Sequence, residues 1–151
     1  MKSNNLFKNS TLILLCLTLV FTACNNNKKE QESLQSAVIM AHDSVMADMN
    51  TLMEKKLQLN FILAHLDSLK TKNVSLDTAK VRTDLTQVKT ELATADDEMM
   101  AWMHNFNPDY TGKSHDEIIS YLNDQKEKIS SVEKSFKRVI FKSDSVITKY
   151  K

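Results

Sequence analysis

The chain of 151 residues holds one glycine and one proline, Gly112 and Pro108, and both fall in the same short stretch. These two residue types are the strongest helix breakers, so almost every other segment is free to continue a helix once it starts. The intervals are filled with lysine, glutamate, leucine, methionine, alanine and glutamine, all good helix formers. A sheet protein of this length needs many tight turns and the glycine-rich or proline-rich sequences that make them. Those are missing, and the chain is expected to be all-α.

Apolar spacing divides it into three long helices. The first is expected from about Ser33 to Thr71, with Leu34, Val38, Ala41, Val45, Met49, Leu52, Leu59, Leu63 and Leu66 mostly three and four residues apart. The four-four step Ala41-Val45-Met49 interrupts its heptad and loosens the supercoil there. The second is expected from about Asp77 to Phe106 on an unbroken seam of Val81, Leu85, Val88, Leu92, Ala95, Met99, Trp102 and Phe106. The third is expected from about His115 to Tyr150 on Ile118, Leu122, Ile129, Val132, Phe136, Val139, Val146 and Tyr150, with Gln125 and Ser143 as polar exceptions. Asn73-Val74-Ser75 and the run from Asn107 to Gly112 break the pattern, and Ser114 with Glu117 forms a capping box for the third helix. Joints this short make neighbours antiparallel. The expected architecture is an up-down-up three-helix bundle of coiled-coil-like helices, each roughly 45 to 60 Å long. Roughly two dozen seam side chains, at about 1.5 to 3 kcal/mol each when buried, explain the apolar pattern by folding alone. Helices patterned over this length also suit self-association into a homo-oligomer.

Residues 1–23 read as an export signal. Lys2 and Lys8 come with no acidic residue, and an uncharged, mostly apolar run from Thr11 to Phe21 leads into Thr22-Ala23-Cys24. The run is about half the roughly 20 residues a spanning helix needs. Phe21-Thr22-Ala23-Cys24 resembles the lipobox cleaved by lipoprotein signal peptidase, with Phe21 where Leu is more usual. That resemblance implies removal of 1–23, a covalent lipid such as palmitate on Cys24, and anchoring in the bilayer by several acyl chains at roughly 0.8 kcal/mol per buried CH₂. Asn25 after the cysteine resembles the sorting pattern for the outer membrane, and Lys28-Lys29-Glu30-Gln31-Glu32 is similar to a short surface-export signal. Residues 24–33 then serve as the lipidated cysteine and a flexible tether, and residues 34–151 as the bundle domain.

Without Lys2 and Lys8, 18 basic side chains face 19 acidic ones, and the two signs are interspersed. A nearly neutral chain with no basic run offers no counterion-releasing surface for nucleic acid. The two cysteines are Cys16, in the signal, and Cys24, so the domain has no thiol for a disulfide, a nucleophile or a thiolate metal site. Neither a phosphate-cradling glycine loop nor a Glu-x-x-His metal pair occurs. Asp96-Asp97-Glu98 are consecutive on a helix and point in different directions, so they read as a solvated turn. No residue pattern here calls for a reaction, and a non-enzyme is expected.

The one local concentration of chemistry is methionine and histidine. His42, Met46, Met49 and Met53 lie on one side of the first helix, and Met99, Met100, Met103 and His104 occupy a turn and a half of the second. A hairpin turning near residues 73–75 pairs Met46 with Met103, Met49 with Met100 and Val45 with His104, and gathers six methionines at one level. Thioether sulfur and imidazole suit Cu(I), with Trp102 able to lie against the cation. The plainer reading is that methionine fills an irregular core around Trp102 and Phe106. His65 stands alone beside Leu66, and His115 is placed to cap the third helix. Haem held by His and Met is conceivable in a bundle, but the cysteine motif for covalent attachment is missing.

The segments His42-Asp43-Ser44-Val45-Met46 and Asp97-Glu98-Met99-Met100-Ala101-Trp102-Met103-His104-Asn105-Phe106, with the signal and heptads around them, resemble a group of short Bacteroidota lipoproteins, some labelled "viral A-type inclusion protein". The resemblance covers most of the mature chain and implies address and architecture, with no established activity to carry over. The expectation is a non-catalytic, membrane-anchored envelope lipoprotein with a structural role or an envelope protein as partner. The alternative is a copper-binding protein using the methionine and histidine cluster.

Overall fold

A computed structural model of the chain describes residues 5–150, with side chains from residue 26 to residue 150. The signal segment, Cys16 and Cys24 lie outside the residues whose side chains are described. The fold is all-helical, with four helices: α1 (Asn5–Ala64), α2 (Leu66–Lys72), α3 (Thr78–Asn105) and α4 (His115–Tyr150). Among the described residues there is no strand, and no helix is long and apolar enough to cross a membrane.

Two differences from the expected helices concern the first. It does not begin near Ser33, because α1 passes through residues 26–33. This stretch contains no breaker, and it carries an i,i+4 pair, Lys28 with Glu32 at 3.7 Å. The first helix is also two helices. At His65 the backbone leaves helical geometry (φ −112°, ψ 20°), and the His65 amide donates to Ile62 three residues back, at 3.1 Å. The Phe61 carbonyl, which lacks that amide, accepts from His65 Nδ1 at 2.8 Å.

The joints follow their sequences closely. Asp77 caps α3 by accepting from the Lys80 amide at 3.0 Å. Lys70 Nζ holds the preceding loop by donating to the carbonyls of Val74 (2.6 Å) and Leu76 (2.7 Å). After α3, the Asn107 carboxamide accepts from the Asp109 amide, and the Asp109 carboxylate accepts from Thr111. Gly112 then takes φ +79°, the left-handed conformation that tolerates glycine best. Ser114 and Glu117 close the capping box, with Glu117 Oε2 accepting from both the Ser114 amide and hydroxyl at 2.8 Å.

The core is a single column. Val38, Val45, Leu52, Leu59, Ile62 and Leu66 meet Val81, Leu85, Val88, Leu92, Ala95, Met99 and Trp102 from α3. Ile118, Leu122, Ile129, Val132, Phe136, Val139 and Ile147 come from α4. Leu34, Ala41, Met49, Leu63, Phe106, Val146 and Tyr150 are half-buried at its edge. Ile62 and Ile147 occupy core positions that strict heptads assign to Leu63 and Val146. A straight helix of 3.6 residues per turn drifts against a seven-residue repeat, so the buried edge moves by one residue near the ends. Both polar exceptions are buried: Ser143 Oγ donates to the Ile140 carbonyl at 2.7 Å, and Gln125 Nε2 donates to Asp124 at 3.0 Å.

Polar contacts flank the column. Along α1 and α4 these are Glu30 with His115 (3.4 Å), Ser44 with Glu133 (3.0 Å) and Lys55 with Asp144 (2.5 Å). Between α1 and α3, Lys56 meets Asp96 at 2.6 Å. Between α3 and α4, Glu91 meets Lys142 (2.5 Å) and Asp84 meets the Tyr150 hydroxyl (2.6 Å).

The core and its surface give separable predictions. Leu52→Ala, at a site with no exposure, should cost about 2 to 5 kcal/mol. Leu57→Ala, 67% exposed, should stay within about 0.5 kcal/mol. Urea unfolding of the two variants checks the contrast. A second prediction concerns pH. Lys142 holds the Glu91 carboxyl below its ordinary value of 4.5, and Lys137 together with Ser44 does the same for Glu133. A carboxylate depressed by folding stabilises above its unfolded pKa, and that contribution disappears as pH falls through the folded value. The melting temperature should therefore start to drop below about pH 4.5, and less steeply in Glu91→Gln.

Candidate functional site

The methionine and histidine residues lie where α1 passes α3, at the level defined by two contacts. His42 and Trp102 have ring centroids 5.7 Å apart, and Lys56 Nζ reaches Asp96. The six methionines nevertheless divide between core and surface. Met99 is fully buried, and Met49 and Met103 are half-buried against the column. Met46, Met53 and Met100 are exposed, at 40%, 46% and 56%. Neighbours on a helix such as Met99 and Met100 point about 100° apart, so a level shared in sequence does not become a direction shared in space.

The histidines divide as well. His42 is half-buried, with Nδ1 2.9 Å from the Asp43 carboxylate, and His104 is exposed. His115 does not serve as a cap, since Ser114 and Glu117 do that, and its Nε2 faces Glu30 instead. Asp96 is engaged by Lys56, whereas Asp97 and Glu98 are exposed. Among the described residues no group of three or more His, Cys, Asp or Glu side chains is placed to hold a metal ion.

From His42 an aromatic column continues through Trp102, Phe106, Tyr121 and Tyr110, with successive centroids 4.9, 6.2 and 6.1 Å apart beyond Trp102. The Tyr121 hydroxyl accepts from the Asn107 amide at 2.8 Å and ties the second joint to α4. Trp102 Nε1 and the Tyr110 hydroxyl are buried and find no hydrogen-bond partner among the described residues, and burial raises the Tyr110 pKa.

Two features escape sequence reasoning. One is an exposed apolar stripe on α1, made of Ile39, Met46, Met53, Leu57 and Phe61 at 40–67% exposure. Their spacing of seven, seven, four and four keeps them on one flank of the helix. Met100 of α3 is exposed beyond the same edge of the column. The other is a pocket of about 280 Å³ where α1 breaks into α2, walled by Phe61, Ile62, His65, Leu69 and Ile147, with Gln58, Lys72 and Tyr150 completing it. The stripe is readable once the core flank is known. The break has no signal in the sequence, because Leu63-Ala64-His65-Leu66 is good helical sequence.

Compared with protein-family models, curated proteins and solved structures, the chain finds no match.

The geometry at His65 makes a local prediction. His65→Ala removes the donor to the Phe61 carbonyl and should speed amide exchange in residues 66–72, while exchange at Leu85 to Leu92 stays unchanged. Hydrogen–deuterium exchange with mass spectrometry measures both.

Proposed function

We propose that this chain is a non-catalytic lipoprotein of the cell envelope, held in a membrane, and for preference the outer membrane, by lipid on Cys24. Its helices form an antiparallel up-down-up three-helix bundle that presents a docking flank to an amphipathic helix of an envelope partner. The bundle reading is supported by the direction of the flanking contacts. Along α1 and α4 residue numbers rise together, from Glu30 with His115 to Lys55 with Asp144. They run oppositely between α1 and α3, from His42 with Trp102 to Lys56 with Asp96. They do so again between α3 and α4, from Asp84 with Tyr150 to Glu91 with Lys142.

The observation that carries the interaction reading is the stripe. Five large apolar side chains in a row are rare on a surface with no partner, and their seven-seven-four-four spacing is what the seam of a facing helix meets. The lipoprotein reading is supported by Cys24 and the segment before it, and by the resemblance of the sequence to Bacteroidota lipoproteins.

A photo-crosslinking residue at Leu57 in the membrane-bound chain tests the proposal. The expected result is one discrete heterologous adduct that is missing with the same residue at Lys134, and loss of membrane retention in Cys24→Ser. An adduct of twice the chain mass assigns the stripe to self-association, and no adduct at Leu57 overturns the docking flank.

A second reading, soft-metal binding, is favoured by the accessible sulfurs of Met46, Met53 and Met100. The two separate cleanly, because Met→Leu at these three positions keeps the apolar volume and removes the ligands. Under the docking reading the crosslink survives the triple change. Under the copper reading, Cu(I) competition against a chromophoric chelator is lost.

A further inference from the structure

The pocket at the α1–α2 break has the composition of a ligand site, and it opens at the end of the column, where Ile62 and Ile147 of the core form part of its wall. A break in a helix calls for an identifiable cause, and here neither proline nor glycine supplies one. His65 sits in the sparsely populated bridge region of backbone space, its Nδ1 committed to the Phe61 carbonyl. That bond leaves Nε2 of the neutral ring as the atom carrying the lone pair. Its ring lies against Phe61, centroids 4.2 Å apart, and Phe61 remains 65% exposed. The break thus holds an aromatic wall open to solvent.

The walls and the mouth differ in character. Ile62, Leu69 and Ile147 supply apolar surface from three helices. Lys72 is the charged residue of the lining, and among the described residues it makes no ion pair. The neighbouring cations are committed: Lys70 to the loop carbonyls, and Lys149 to the Tyr150 ring (4.6 Å) and Asp84 (3.6 Å). The nearby carboxylate of Asp84 is itself satisfied by Tyr150 and Lys149. An apolar slot with one uncommitted cation at its rim matches an apolar anion. At about 280 Å³ the slot is near the lower end of small-molecule pockets, roughly 300 to 1,000 Å³, which selects a short chain over a full lipid tail.

We propose that this pocket binds a short-chain carboxylate, with its apolar tail against Ile62, Leu69 and Ile147 and its carboxylate on Lys72 Nζ. The probe is octanoate, with octanol as the uncharged counterpart. The full chain, carrying 13C-labelled isoleucine methyl groups, is placed in phosphatidylcholine nanodiscs and titrated with each. Octanoate should shift the methyl signals of Ile62 and Ile147 saturably and leave Ile118 and Ile129 in place. Lys72→Gln should weaken binding about threefold to fivefold, the scale of an exposed ion pair. Leu69→Trp should fill the slot and abolish the shifts. If Leu69→Trp disturbs the fold, Lys72→Gln at the exposed rim still decides. Equal affinity for octanol and octanoate, binding indifferent to Lys72→Gln, shifts spread over all the isoleucines, or none at all would each overturn the assignment.

Discussion

Val38, Val45, Leu52 and Leu59 are completely buried on a helix whose other faces are wet, and they are buried only because α3 and α4 lie against the same side of it. Beyond Cys24 the chain has no cysteine, so no disulfide within the domain contributes to its stability. At roughly 1.5 to 3 kcal/mol per large apolar side chain, this one column is the main term opposing chain entropy. Side chains of α1, α3 and α4 meet in it, so a cavity in the middle of the column is felt on each of them.

Apolar contact alone is indifferent to small slips along the axis, and the polar atoms within the core do not correct this. Ser143 and Gln125 satisfy their hydrogen bonds inside α4, with Ile140 and Asp124, so neither ties α4 to a neighbour. Axial register is instead marked at the flanks, by Ser44 with Glu133, Lys55 with Asp144, Lys56 with Asp96 and Glu91 with Lys142. Each is a partly exposed pair of small individual value. Their common effect is that a one-turn slip breaks several at once.

Phe61 connects the two surface features of functional interest. It ends the apolar stripe on α1 and forms one wall of the pocket at the break. A ligand in the pocket would touch the ring that a helix docked on the stripe would also touch. Occupancy at one proposed place would then be felt at the other through this single side chain.

Much of this molecule is written in its sequence because the interactions involved are local. Asp77, Ser114 with Glu117, and Gly112 mark their joints through neighbours two or three residues away. The heptads of α3 identify every one of its buried residues, from Val81 to Trp102. What spacing could not supply was angle. A heptad names the buried side of a helix but leaves the flanking residues undecided, so Met103 lies half-buried while Met46, Met53 and Met100 stay in solvent. The break at His65 and the exchange of Leu63 and Val146 for Ile62 and Ile147 belong to the same class. The sequence by itself determined that the chain is helical and which side of each helix is apolar, because those depend on contacts within a few turns. Only the tertiary structure decided which methionines are accessible, where the first helix breaks and what that break encloses, because these depend on how the helices share one apolar core.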